Sequence, residues 1–164
     1  MLAAILATGL FMIGWPALSA SAAGGPDLAA GKSASASGAN GACVAKNVTD
    51  GDRSTYGGSA GSAFPQSTTV DLGAVRSVDH LVLKLPPATA RDARTGTLSV
   101  LDSADNGAYG QLVASRGYAF DLATGNHVTI ALPAHAGTRY PRLTATADTG
   151  RPAAQVSEFE AYGS

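Results

Sequence analysis

The sequence has little of what disulfide-stabilised domains and nucleic-acid-binding proteins depend on. Its single cysteine, Cys43, excludes an intrachain disulfide, and we expect this small side chain to be buried. The 11 basic residues are scattered among 12 acidic ones, so the chain offers no basic patch for nucleic acid. The only tryptophan is Trp15, in the apolar N-terminal segment. Without disulfides, an apolar core or a bound metal must stabilise the fold.

The sequence also lacks a recognisable catalytic constellation. The three histidines, His80, His127 and His135, have neither zinc-ligand spacing nor a nearby ligand cluster. Residues 58–62 do not match the nucleophile elbow of serine hydrolases, which requires a strand followed by a helix. A glycosidase needs two carboxylates across a cleft, but a metal site and strand alternation better explain the candidate acids, Asp50, Asp52, Glu158 and Glu160. We therefore expect no enzymatic activity.

No segment shows helical periodicity, whereas short runs rich in Val, Leu and Thr recur between turn residues. One such boundary, Asp105-Asn106-Gly107, is a strong hairpin signal. The strands that we predict are residues 68–72, 75–85, 97–101, 112–120, 127–132, 139–146 and 155–162, with Tyr140 and Phe159 in the core. This spacing predicts an all-β protein, either a sandwich or a jelly roll. Pro141 falls inside a predicted strand, where only an edge position would tolerate it.

The N-terminus predicts export. Residues 1–18 are almost entirely apolar, and small residues follow at 20–23, as in a signal peptide with its cleavage site. A basic residue before the apolar region is missing, and an uncleaved membrane anchor is the alternative. We predict a signal peptide over residues 1–23, a short linker over 24–26 and one domain over 27–164. The mature protein is then secreted.

An oxygen-rich turn at residues 47–56 is the most informative motif. Asp50-Gly51-Asp52 and Thr55 can direct several oxygens to one point, and Glu158 on the last predicted strand can close the cage. Calcium takes six to eight such hard oxygen ligands. A solvated Asp-Gly turn, common in any β protein, is the alternative.

The order and spacing of several short motifs resemble one family. The motifs are residues 28–34, the turn 47–56, Val70-Asp71-Leu72-Gly73, residues 103–107, Tyr140-Pro141-Arg142-Leu143 and residues 157–163. Together they resemble the coagulation factor 5/8 type C, or discoidin, domain over nearly the whole mature chain. Bacterial members are carbohydrate-binding modules attached to secreted glycoside hydrolases.

The resemblance implies a jelly-roll β-sandwich of the galactose-binding type with a structural Ca²⁺ ion. It assigns backbone carbonyls to Asn47, Asp52 and Ser157, carboxylates to Asp50 and Glu158, and a hydroxyl or carbonyl to Thr55. These are the two stretches in which the turn chemistry alone indicated a calcium site.

The resemblance also implies a shallow glycan site on loops at one end of the sandwich. The positions that we assign to it from loop placement are Tyr56, Phe64, Arg91, Asp92 and Arg151. Aromatic faces supply much of the contact in such sites. Yet Gly57 and Arg91 stand where the family commonly has tryptophan, and Ser67 stands where an aromatic residue often follows. Loss of a core tryptophan would cost on the order of 3–5 kcal/mol.

We therefore predict a non-catalytic, calcium-stabilised carbohydrate-binding module of a secreted protein. Its partner would be a glycan or polysaccharide, and its polar loops argue against membrane insertion. We expect a monomer, which relatives often carry fused to a glycoside hydrolase. The alternative is an adhesion or protein-recognition sandwich, or a decayed module, that binds no sugar.

Overall fold

The structure is a computed structural model that describes residues 25–57, 61–86, 94–150 and 154–163. The predicted signal peptide lies outside these ranges, and no described helix is long and apolar enough to cross a membrane. The described strands are β1 (Ser33–Ala36), β2 (Gln66–Asp71), β3 (Arg76–Lys84), β4 (Arg94–Asp102), β5 (Gly110–Phe120), β6 (His127–Thr138), β7 (Arg142–Asp148) and β8 (Glu158–Tyr162). One short 3₁₀ helix spans Ala45–Thr49.

The strands form two antiparallel sheets that face each other. One sheet has the order β1-β2-β7-β4-β5 and the other the order β6-β3-β8. The last strand, β8, lies at an edge and pairs with β3 from Lys84 opposite Glu158 to His80 opposite Tyr162. The N-terminal segment joins the same edge, because the Leu28 amide donates to the Ala161 carbonyl at 2.8 Å. Both ends of the domain therefore meet at one strand.

Alternating apolar residues build the core between the sheets. Phe159, Leu83 and Ile130 from the smaller sheet are fully buried, as are Val70 and Val100 from the larger one. Full burial of such a side chain contributes about 1.5–3 kcal/mol. The all-β prediction and the sandwich are thus confirmed.

The predicted strands correspond to β2 through β8, with shifted ends. The pattern missed β1, whose Ser33-Ala34-Ser35-Ala36 sequence has no large apolar residue but pairs with β2 over its whole length. Two side-chain predictions were wrong, because Cys43 and Tyr140 are only half-buried. The predicted hairpin turn is present between β4 and β5, where Asn106 adopts a left-handed φ of 63°.

Pro141 and Pro133 occupy positions that spare the hydrogen-bond ladder. Pro141 precedes β7 rather than interrupting it, which corrects the predicted strand 139–146, and its carbonyl accepts the Val70 amide at 3.1 Å. Pro133 lies on β6 where the register with β3 shifts between Val78 and His80. An edge strand with a bulge tolerates the missing proline amide.

Gly57 fills a space in which a side chain cannot fit. A Cβ atom there would lie 2.2 Å from Cγ1 of Val48, a fully buried residue of the 3₁₀ helix. Backbone hydrogen bonds of 2.9 and 3.1 Å join Gly57 to Val156 and fix its position. Val48 therefore occupies the space in which a side chain at position 57 would begin.

We predict that Gly57→Ala lowers the free energy of unfolding by about 1–3 kcal/mol, because the added methyl group overpacks the Val48 contact. Urea denaturation of the variant and of the original protein measures the difference. Gly61→Ala is the matched control, since a Cβ at Gly61 meets no atom within 4 Å. Equal midpoints for the original protein and Gly57→Ala would contradict this packing of Gly57 against Val48.

Candidate functional site

The acidic turn after the 3₁₀ helix is held by its own side chains. The Asp52 amide donates to Asp50 Oδ1 at 2.8 Å, and the Ser54 amide donates to Asp52 Oδ1 at 2.9 Å. Gly51 between them has a φ of 79°, which a side chain would strain. This is why the sequence reads Asp-Gly-Asp at a turn of this shape.

Thr55 brings three of the predicted metal-ligating residues together. Its hydroxyl lies 2.9 Å from Asp50 Oδ2 and 3.0 Å from the Asp52 carbonyl oxygen. The Thr55 amide also donates to that carbonyl at 3.1 Å. The Asp50 carboxylate, the Asp52 carbonyl and the Thr55 hydroxyl therefore form one cluster of oxygens.

Glu158 is a buried acid beside this cluster. The residue is 4% exposed, and its Oε1 atom has no hydrogen-bond partner among the described residues. Burial, followed by repulsion from Asp50, raises the pKa of the Glu158 carboxyl to about 7, although a hydrogen bond from the Gly51 backbone opposes the shift. The neighbouring Ser157 is fully buried, and its hydroxyl oxygen also lacks a partner among these residues. The Glu158 carboxylate is therefore poorly compensated by the described groups around it.

Asn47 closes the turn from within the 3₁₀ helix. Its buried side-chain amide donates to the carbonyls of Ala42 and Tyr56, at 2.9 and 3.0 Å. The Asn47 side chain thus holds both ends of the segment 42–56 through hydrogen bonds. The Ser157 amide donates to the Lys84 carbonyl at 2.8 Å, which aligns the start of β8 with the end of β3.

Arg53 is a structural residue of the turn that no sequence pattern indicated. Its Nη2 atom donates to the carbonyls of Leu85 and Gly125, at 2.6 and 2.7 Å. Asn126, fully buried and with a φ of 55°, donates to the Pro86 carbonyl at 3.1 Å. The acidic turn is consequently fastened to the loop ends that follow β3 and precede β6.

The donor chemistry of this region fits calcium. Asp50, Thr55 and Asp52 supply clustered oxygens, and Glu158 supplies a buried carboxylate with an unpartnered oxygen. No group of three His, Cys, Asp or Glu side chains suited to a metal occurs among the described residues. A cation bound here would therefore depend on backbone carbonyls and the Thr55 hydroxyl as well as on carboxylates.

The structure describes two of the five predicted glycan-binding residues. Tyr56 and Phe64 are half-buried, and Phe64 packs against the core. Arg91, Asp92 and Arg151 lie outside the described residues. The position of the predicted glycan site is therefore inferred from the described residues that flank these loops.

A buried polar network joins those flanking residues. Arg94 and Asp148 form an ion pair with 3.1 Å between Nε and Oδ2, and both side chains are at least nine-tenths buried. Arg94 also donates to the Gln155 carbonyl. Gln66 donates to the carbonyls of Gly61 and Ala63, at 2.7 and 2.9 Å. Such a network needs all its partners, so it fixes the loop bases relative to the sheet.

A cavity of about 20 Å³ lies within this network, lined in part by Arg94, Asp148 and Gln66. This volume holds about one water molecule. Sequence periodicity could not have found the network, because its members come from strands and loops that are distant along the chain.

Comparison with known proteins places the chain in a family. The family model for the F5/8 type C domain matches residues 31–159. Chitosan-binding module 1 of a chitosanase/glucanase from Paenibacillus sp. IK-5 is 27% identical, with a TM-score of 0.65, over 84% of this chain and 98% of that chain. A search of curated protein sequences gave no significant match.

Less similar structures share the fold. The family 32 carbohydrate-binding module of NanJ from C. perfringens, solved with galactose, is 22% identical with a TM-score of 0.67, over 79% of this chain and 92% of that chain. The second chitosan-binding module of the Paenibacillus sp. IK-5 enzyme, solved with chitotriose, is 24% identical with a TM-score of 0.65, over 84% and 100% of the two chains. The jelly-roll sandwich and the family match agree, and the chain belongs to the F5/8 type C domain family.

Proposed function

We propose that this protein is a secreted, non-catalytic carbohydrate-binding module stabilised by a structural calcium ion. The observation that carries the proposal is the similarity to a chitosan-binding module over 84% of this chain. The module would hold a glycan at the loops near Tyr56 and Phe64 and so localise whatever is attached to it. The family match and the similarity to carbohydrate-binding modules support binding without catalysis.

The calcium proposal is supported by the Glu158 carboxylate, whose Oε1 atom has no partner among the described residues. An unpaired carboxylate buried beside Asp50 is unfavourable, and the bound cation would supply the compensating charge. Asp50, Thr55 and Glu158 would ligate it through side chains, and Asn47, Asp52 and Ser157 through backbone carbonyls. Because Glu158 begins β8 and Asp50 ends the 3₁₀ helix, the ion would join distant parts of the chain.

The glycan proposal is supported by how the loop bases are built. The Arg94–Asp148 pair and Gln66 fix the residues on which the loops carrying Arg91, Asp92 and Arg151 are mounted. Guanidinium and carboxylate groups on rigid supports can hydrogen-bond sugar hydroxyls, and Tyr56 and Phe64 can supply apolar contact. The alternative, adhesion or protein recognition without sugar binding, is favoured by the replaced tryptophans.

We predict that calcium raises the melting temperature of chelator-treated protein by several degrees, because a ligand that binds only the folded state stabilises it. In Glu158→Gln this calcium effect disappears. Differential scanning calorimetry with calcium and with chelator measures both. Glu160→Gln is the matched control, since Glu160 lies on the same strand and pairs with Lys84. An equal calcium effect in Glu158→Gln would contradict the site.

The same variants give a pH prediction for the calcium-free protein. The folded-state pKa of Glu158, about 7, exceeds its usual value of 4.5, so the folded state binds the proton more tightly than the unfolded state. Stability from this group is therefore present at acidic pH and is lost as the pH rises from about 4.5 to 7. In chelator, we expect Glu158→Gln to melt at or above the original protein at pH 8. A lower melting temperature would indicate that the carboxylate is satisfied without metal.

We predict that a glycan array in calcium buffer shows saturable binding to a related set of glycans, with chitosan oligosaccharides and galactosides as the first candidates. Arg91→Ala and Arg151→Ala should each weaken binding about tenfold, the usual effect of losing a hydrogen bond from a charged group. Arg116→Ala, on the exposed part of β5, is the control and should bind normally. A blank array from folded, calcium-loaded protein would favour the adhesion alternative.

A further inference from the structure

A groove of about 220 Å³ lies at the opposite end of β2 from the predicted glycan loops. Residues of β1 and β2, Ser33, Ser35, Thr69 and Asp71, line one part, and Asn106 and Tyr140 line another. β2 begins at Gln66, which bonds the segment 61–63, and ends at Asp71 in the groove. The groove is therefore separate from the loops that carry Arg91 and Arg151.

One wall of the groove is a preorganised polar surface. Arg139 donates to both oxygens of Asp71, at 2.8 and 3.0 Å, and its guanidinium carbon lies 4.8 Å from the Tyr140 ring centre. The Gly73 amide donates to the same carboxylate at 2.8 Å. These hydrogen bonds, led by those of Arg139, lower the pKa of the Asp71 carboxyl. The Asp71 charge is thus matched within the wall, which is rigid and nearly neutral.

A second arginine lies beside the groove without a counter-ion. The Arg142 guanidinium carbon is 3.5 Å from the centre of the Tyr109 ring, and Nε donates to Thr69 Oγ1 at 2.8 Å. The Tyr109 hydroxyl donates to Asn106, so both contacts of Arg142 connect it to residues of the groove wall. Within the part of the chain that the structure describes, no ion pair includes Arg142.

We propose that this groove is a second saccharide site that takes an acidic pyranose of the uronic acid class. The exposed hydroxyls of Ser33 and Ser35 and the Asn106 amide can hydrogen-bond ring hydroxyls, and Tyr140 offers an aromatic edge. The guanidinium of Arg142 is oriented by Thr69 and Tyr109 to pair with the sugar carboxylate, a geometry that arginine suits better than lysine.

The choice of a saccharide rests on the proposed function, but the groove itself does not. A module with sites at both ends could contact two chains of one polysaccharide, or two stretches of the same chain, and so gain avidity without higher affinity at either site. Geometry would separate the two sites, because the groove places the Arg142 guanidinium, held by Thr69 and Tyr109, beside the hydroxyls of Ser33 and Ser35.

The test is residue-resolved NMR titration of the calcium-loaded protein with galacturonate, glucuronate and mannuronate, each against its neutral hexose. We expect at least one uronate to shift the amide signals of Ser35, Thr69 and Asn106 saturably through the millimolar range. Its neutral hexose should bind the groove at least about tenfold more weakly, because it lacks the charged hydrogen bond.

Two variants assign the effect to the groove. Arg142→Gln should remove the preference for the uronate, and Arg142→Lys should retain part of it because the charge remains. Arg116→Gln is the matched control, since Arg116 also lies over a tyrosine, with 4.9 Å from its guanidinium carbon to the Tyr118 ring centre. Ser35→Trp blocks the groove from the exposed strand β1 and serves if Arg142→Gln does not fold.

The outcomes separate this proposal from the proposed function. Shifts confined to residues near Tyr56, Phe64 and Gln155 would overturn the groove site and leave the module intact. Shifts confined to the groove would support it and count against the loop site. An absence of shifts with every sugar, or an unchanged uronate preference in Arg142→Gln, would overturn the groove site.

Discussion

The structure depends on one unfavourable interaction, the burial of the Glu158 carboxylate and its repulsion by Asp50. β8 closes the smaller sheet and holds the N-terminal segment, and Glu158 is its first residue. Its unpartnered oxygen and raised pKa indicate that the described residues alone do not neutralise this position. A buried charge is tolerated when it is paired or when it coordinates a metal. The proposed calcium ion would turn this repulsion into a connection between the acidic turn and β8.

Hydrogen bonds from the acidic turn also extend to the loops of the proposed glycan-binding end. Arg53, within the acidic turn, holds the carbonyls of Leu85 and Gly125, and Asn47 holds the carbonyl of Tyr56. Ordering the turn therefore orders the bases of adjacent loops. The Arg94–Asp148 pair does the same from the larger sheet. A buried ion pair is weak evidence for stability, and this one is better understood as a device that positions the loop bases.

Much of the fold was predictable because period-two patterns in β3 and β4 require one buried face, and Asp105-Asn106-Gly107 admits a left-handed turn. β1 was not predictable, because its small residues show no hydrophobic alternation and only its pairing with β2 makes it a strand. The clustering of Asp50, Asp52 and Thr55 followed from turn chemistry. Sequence patterns could not predict that Gly57 packs against Val48 or that Arg94 pairs with Asp148. Both contacts depend on which segments meet in space.

The most direct test of the calcium connection is calorimetric titration of calcium into protein that has first been stripped with chelator. We expect saturable binding of a single ion per chain, with release of protons near pH 7 as Glu158 loses its proton on ligation. Absence of binding heat from folded protein at several temperatures, with no proton release, would show that Glu158 is accommodated by the protein alone. The acidic turn and β8 would then be joined without a metal, and the central role of the ion would be wrong.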